Sequence, residues 1–208
     1  MSKSLALYAF EILTARLGSS TPRTLAEFES DTRSKTGDYP KKAPLFVTWN
    51  KNGDLRGCIG TFLDMHIEQG VSQYALISAF EDTRFSPIKS SELSQLSVSI
   101  TLLDEFVEIN DPQDWQIGLH GLKVLFSSNG RRYLGTFLPL VAEEQGWTKI
   151  ETLWNLLRKA GFSGVSAAKT LDFYVSSIVA GSMKVVRYKG LKCGATYLEY
   201  IGAIQKSE

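Results

Sequence analysis

Two cysteines and two histidines in 208 residues leave little room for several kinds of chemistry. Cys58 and Cys193 are too few and too far apart for a disulfide framework or a CxxC redox or zinc pair, so both are expected as free thiols. With only His66 and His120 available, a metal site would need carboxylates to complete it, and no metal is predicted. No apolar run approaches the roughly 18 residues that cross a bilayer, and the N-terminus lacks a basic region leading into an apolar stretch and a cleavage site. Charge of one sign is also missing: 23 Lys and Arg against 22 Asp and Glu give +1, which disfavours nucleic acid as the default partner. The chain contains no GxxxxGK[ST], HExxH, GxSxG or GxGxxG signature. These absences lead to the expectation of a soluble intracellular protein in the cytoplasm, with the nucleus left open, no membrane partner and no assigned cofactor.

What is present reads as α+β. Leu5, Tyr8, Ala9, Ile12 and Leu13 predict an amphipathic first helix capped by Ser2 or Ser4, with Gly18 just past its end. Residues 19–43 read as a long connection with one short helix near Leu25–Phe28; connections of that length are often functional lids. Asn52-Gly53 and Asn129-Gly130 each predict a two-residue hairpin. A largely apolar helix is expected from about Ile67 to Asp82, ending before Pro87, and a strand at Leu96–Leu102. Pro139 opens a short helix to Gln145, and Thr148 with Glu151 predicts a capping box on a helix closed by Gly161. A strand near Val185–Tyr188 and a docking tail, Tyr197–Ile201, complete the chain. Interleaved hairpins and helices predict an α+β protein built on an antiparallel sheet, and 208 residues make either one large domain or two closely packed subdomains.

The stretch Leu55-Arg56-Gly57-Cys58-Ile59-Gly60 reads as a strand with two different faces. Alternation puts Arg56, Cys58 and Gly60 on one side, with Gly60 leaving space there and Gly57 admitting a close neighbour on the other. Counting outward from Asn52-Gly53 places Trp49 opposite Arg56 and Val47 opposite Cys58, so the guanidinium is expected on the tryptophan ring. One reading makes Cys58 a nucleophile, its thiolate favoured by Arg56, with His120 as base. The other makes Cys58 a small packing residue and Arg56 an amphipathic strand residue. His120, between Gly118 and Gly121, also reads as hydrogen-bonded structure, and Arg84 as either a helix-end partner or an anion ligand. Arg131 and Arg132 read as a solvated turn tip, and Cys193 as incidental.

Five segments in order, LRGCIG at Leu55–Gly60, RFSP at Arg84–Pro87, GLHG at Gly118–Gly121, LPLVAEEQGW at Leu138–Trp147 and the following LWNLLRKAG, resemble the AMMECR domain family over most of the chain. GTF after the first motif and DW at Asp114-Trp115 look most like its eukaryotic members. The resemblance implies a two-part α+β fold, an antiparallel sheet with flanking helices plus a smaller second subdomain, with 1–208 forming one domain of two packed subdomains and LRGCIG buried centrally near a cleft, and it implies no settled activity. Prokaryotic members are similar to domains beside or fused to a Memo-type domain and a radical SAM protein, which implies a pathway with a redox or modification step. Carried over by position, the implied site residues are Arg56, Gly57, Cys58, Gly60, Arg84, His120 and Glu144. Residues 163–182 depart from the family pattern. The expected function is a small-ligand or substrate cleft around LRGCIG, with or without catalysis and with a protein partner. The alternatives are a non-catalytic protein-interaction adaptor with a structural LRGCIG core and, less favoured by charge, a nucleic-acid module.

Overall fold

A computed structural model describes residues 2–35 and 37–205. The elements follow in the order α1 (Ser4–Gly18), α2 (Leu25–Thr32), β1 (Lys42–Lys51), β2 (Asp54–His66), α3 (Ile67–Phe80), β3 (Leu96–Ile109), β4 (His120–Ser128), β5 (Arg131–Phe137), α4 (Val141–Glu144), α5 (Lys149–Lys159), α6 (Thr170–Val179), β6 (Met183–Thr196) and α7 (Tyr197–Gln205). Short 3-10 turns at Ser90–Gln95 and Ala167–Lys169 precede β3 and α6. The strands lie in the order β2-β1-β3-β6-β4-β5, with antiparallel pairing, in an α+β fold. No helix among the described residues is long and apolar enough to cross a membrane.

The chain divides into two compact units, Met1–Leu103 with Leu191–Glu208, and Asp104–Gly190; β3 and β6 contribute residues to both. In the first, α1 is buried almost all round rather than on one stripe, because Ala6, Leu7, Phe10 and Ala15 complete its circumference. Its buried Glu11 is matched by Arg23, whose Nη2 donates over 2.9 Å, and by the Tyr200 hydroxyl of α7 at 2.8 Å. The tail therefore docks through both polar and aromatic contacts, Tyr200 stacking on Phe10 with centroids 5.8 Å apart. Lys3 stands at the N-cap position of the first helix without a side-chain cap bond, the Ser2 hydroxyl accepts the Ser4 N–H over 3.3 Å, and Ser19, not Gly18, takes the left-handed position at the helix end.

In the second unit, Leu122, Val124 and Phe126 of β4 pack with Leu153, Leu156 and Leu157 of α5 and Tyr174 of α6. Gly135 allows this contact, since a Cβ there would lie 2.8 Å from the Leu156 carbonyl. The Thr148–Glu151 capping box forms, and Arg158 and Lys159 occupy the last turn of α5. Helix α6 is absent from the sequence expectation. Ser176 and Ser177 interrupt its apolar positions.

Candidate functional site

Asn52 and Gly53 have φ of 52° and 94°, the positive values that a two-residue hairpin loop needs, and Lys51 pairs with Asp54 as expected. The register then shifts. Asn50 pairs with Leu55 but Trp49 pairs with Gly57, leaving Arg56 as an extra residue, so Val47 faces Ile59 and Thr48 faces Cys58. The expected Trp49–Arg56 and Val47–Cys58 pairs are thus corrected by one residue. The cause lies on the core face: Gly57 presses on α3 so closely that a Cβ would collide with the Ser78 carbonyl. Trp49 is fully buried beside it, donating its indole N–H to the Ala75 carbonyl over 3.0 Å.

Instead of stacking on Trp49, Arg56 forms a fork with Glu92, its Nε and Nη2 donating over 3.0 and 3.2 Å, and Lys51 joins at 3.0 Å. The hydrogen bonds from Arg56 outweigh burial and hold the Glu92 carboxyl at about 2. Glu92 has no local sequence signal, because it lies 36 residues from Arg56 on a 3-10 turn.

Cys58 is half-buried, and the Thr48 hydroxyl donates to its Sγ over 3.1 Å. Cross-strand pairing lines up Cys58, Thr48 and Ser99 on neighbouring strands, one thiol and two hydroxyls on one face. Strand β2 is an edge strand rather than the middle of the sheet, a correction to the expected central burial, and Leu55 is 43% exposed. An edge leaves outward backbone groups to satisfy. At Cys58 this is done by the end of α3: its N–H donates to Asp82 Oδ2 over 2.9 Å, and Arg84 Nη2 donates to its carbonyl over 3.2 Å. Arg84 also donates to Asp82 from Nε at 2.9 Å and Nη2 at 2.6 Å. Arg84 foremost, helped by the Cys58 and Arg84 amides, holds the Asp82 carboxyl far below the usual carboxylate range against the effect of burial. Asp82 is 6% exposed at its side chain and Arg84 54%, so the clamp has one sealed and one open member. The helix-end role expected for Arg84 is present, and it reaches the LRGCIG peptide as well. The space expected at Gly60 is filled, since a Cβ there would meet the Phe46 ring and the Leu45 carbonyl.

Cys193 differs: burial pushes its thiol up to about 11, against weaker opposing effects from the Ala6 and Ile100 backbone.

In the second unit, His120 begins β4 and its Nδ1 accepts the Gln116 N–H over 3.0 Å. That bond selects the tautomer with the proton on Nε2, which is then a donor. Burial first, then Arg187 and Lys189, lower its pKa, so the ring favours its neutral form. Gly118 has φ of 79°, and a Cβ there would lie 3.0 Å from both Glu143 carboxylate oxygens. Glu143 therefore covers the GLHG turn, while the expected Glu144 is exposed on α4. Among the described residues no three His, Cys, Asp or Glu side chains gather into a set that could hold a metal.

The AMMECR1 family model matches residues 6–179. An uncharacterized protein of Schizosaccharomyces pombe is 39% identical over 203 residues, covering 96% of this chain and 95% of its own length. An uncharacterized protein of Arabidopsis thaliana is 37% identical over 170 residues, covering 78% and 75%. In fold, the chain is similar to the crystal structure of an uncharacterized protein from Pyrococcus horikoshii, with a TM-score of 0.67 at 24% identity, over 93% of this chain and 92% of that one. A family model that spans α1 through α6, together with relatives matched along most of their length, makes the chain a member of the AMMECR1 family.

Proposed function

We propose that the Cys58 face is a small-ligand or substrate site, with the Cys58 thiol as the reactive or contact group and Arg84 as the charged group beside it. One observation carries this reading. The Cys58 peptide is fixed at both its N–H and its carbonyl by Asp82 and Arg84, while its sulfur accepts from the neutral Thr48 hydroxyl and stays half-buried. The pair that satisfies the outward backbone groups of this edge strand also fixes the Cys58 peptide, and a fixed peptide gives the thiol a set position. Arg56, neutralised by Glu92, serves in this reading as a fixed wall, and Gly57 and Gly60 as positions where backbone must approach backbone or ring. The protein works inside the cell with a protein partner in this proposal.

The test is alkylation of the folded protein with iodoacetamide, with adducts mapped by mass spectrometry. Cys58 is expected to react well before Cys193, whose thiol burial protects. Equal inertness of both cysteines, with Cys58→Ala fully functional in cells and Cys58→Leu unfolded, would establish the packing role instead.

A further inference from the structure

We infer that the β5 edge of the second unit is a strand-addition surface for an extended peptide of a protein partner that carries carboxylates two residues on either side of an aliphatic side chain. The inference goes beyond the proposed Cys58 site and stands on different residues.

The register supplies the surface. Across β5, β4 and β6, Leu134 pairs with Leu125 and Leu125 with Lys184; one step along, Thr136 pairs with Lys123 and Lys123 with Val186; on the other side, Arg132 pairs with Ser127. Side chains alternate, so Arg132, Leu134 and Thr136 share the face opposite to Tyr133, which stacks on the core residue Phe126. On this outer face Leu134 is 58% and Leu125 43% exposed, directly opposed to each other. Lys184 is paired with Glu108 at 3.2 Å, whereas Lys123 and Arg132 have no carboxylate partner among the described residues. The result is an apolar pair with an uncompensated cation on each side.

The backbone is ready to pair. β5 is the last strand in the sheet order. With Ser128 and Arg131 flanking a two-residue loop, alternate residues of each strand turn outward; on β4 this is seen in the Ser127 N–H donating to the Ser182 carbonyl over 3.1 Å. The same alternation turns the N–H and carbonyl of Arg132 and Leu134 away from β4. Charged residues on an edge ordinarily discourage pairing, which accounts for Arg132 alone. It does not account for an exposed leucine between two cations. Strand addition draws its affinity from main-chain hydrogen bonds and its selectivity from alternate side chains, so the occupant is read directly from the edge: an aliphatic residue against Leu134, and a carboxylate against Arg132 and near Lys123.

The probe is a fluorescein-labelled peptide in which threonine alternates with glutamate and valine in turn, titrated with the full chain and followed by anisotropy. Saturable binding is expected, weakened about tenfold or more by Arg132→Glu and by Leu134→Asp, with slowed amide exchange at Arg132 and Leu134 in the bound state. Both substitutions are at exposed positions, and circular dichroism checks that the variants remain folded. Equal binding of a peptide with lysine in place of glutamate, no response to either substitution, or a Leu134-dependent dimer in sedimentation that excludes the peptide would each overturn the inference. None of these outcomes bears on alkylation of Cys58.

Discussion

Asp82 is where the placement of Cys58 is decided. It is buried, it accepts the Cys58 N–H, and it fixes Arg84, which in turn donates to the Cys58 carbonyl. Removing it strands two donors: the amide of an edge strand and a guanidinium. Breaking a buried pair by deleting one partner costs about 3–5 kcal/mol, and the half-exposed position of Arg84 brings the expected loss for Asp82→Ala nearer to about 2 kcal/mol. Urea denaturation measures this. The variant is also expected to alkylate faster at Cys58, because the peptide that orients the thiol is released. A variant with unchanged stability and unchanged alkylation would mean that the clamp neither holds the strand nor places the sulfur. In the sequence Asp82 marks only the expected end of the apolar helix that begins near Ile67. Its target, 24 residues earlier, has no local trace.

Among elements, the meeting of β2 with α3 illustrates what a sequence can and cannot carry. Two-residue loops at Asn52-Gly53 and Asn129-Gly130 and the Thr148–Glu151 cap are written in adjacent residues, and all three form as read. The bulge at Arg56 is not, because it answers to Ser78 of α3, 21 residues beyond Gly57. Gly57 has to sit under the Ser78 carbonyl, and Trp49 has to reach Ala75, so the strand takes in one residue to keep both while turning Arg56 to Glu92. The same limit explains α1, whose stripe of apolar residues looked one-sided until α3, α7 and the sheet enclosed it. A paired substitution tests the contact. Gly57→Ala drives a methyl into backbone that cannot move aside, with an expected cost at or above about 3 kcal/mol. Gly18→Ala adds a methyl at the end of α1 with nothing within 4 Å, and is expected to stabilise by about 0.5 kcal/mol through helix propensity. Thermal melts should move in opposite directions; a Gly57→Ala melt matching the parent would mean that β2 and α3 are not pressed together.

For the molecule as a whole, net charge near zero conceals a bias in where charge does structural work. Glu11, Asp82 and Glu92 are all held below their ordinary pKa, Glu92 at about 2, by Arg23 and Tyr200, by Arg84, and by Arg56 and Lys51 respectively. A carboxylate whose folded pKa is depressed binds its proton more readily in the unfolded chain, whose glutamates titrate near about 4.3. Each therefore adds stability that is complete above that value and is lost as pH falls toward the folded pKa. The protein is expected to hold its stability from neutrality down to about pH 5 and then to lose it steeply between about pH 4 and pH 2. Glu92→Gln isolates one contribution: it is expected to be less stable at neutral pH by about 2 kcal/mol and to converge on the parent near pH 2, where the parent's Glu92 is half protonated. Urea midpoints collected across that range decide it, and two curves that stay parallel would mean that the Arg56–Glu92 fork contributes nothing that depends on the carboxylate charge.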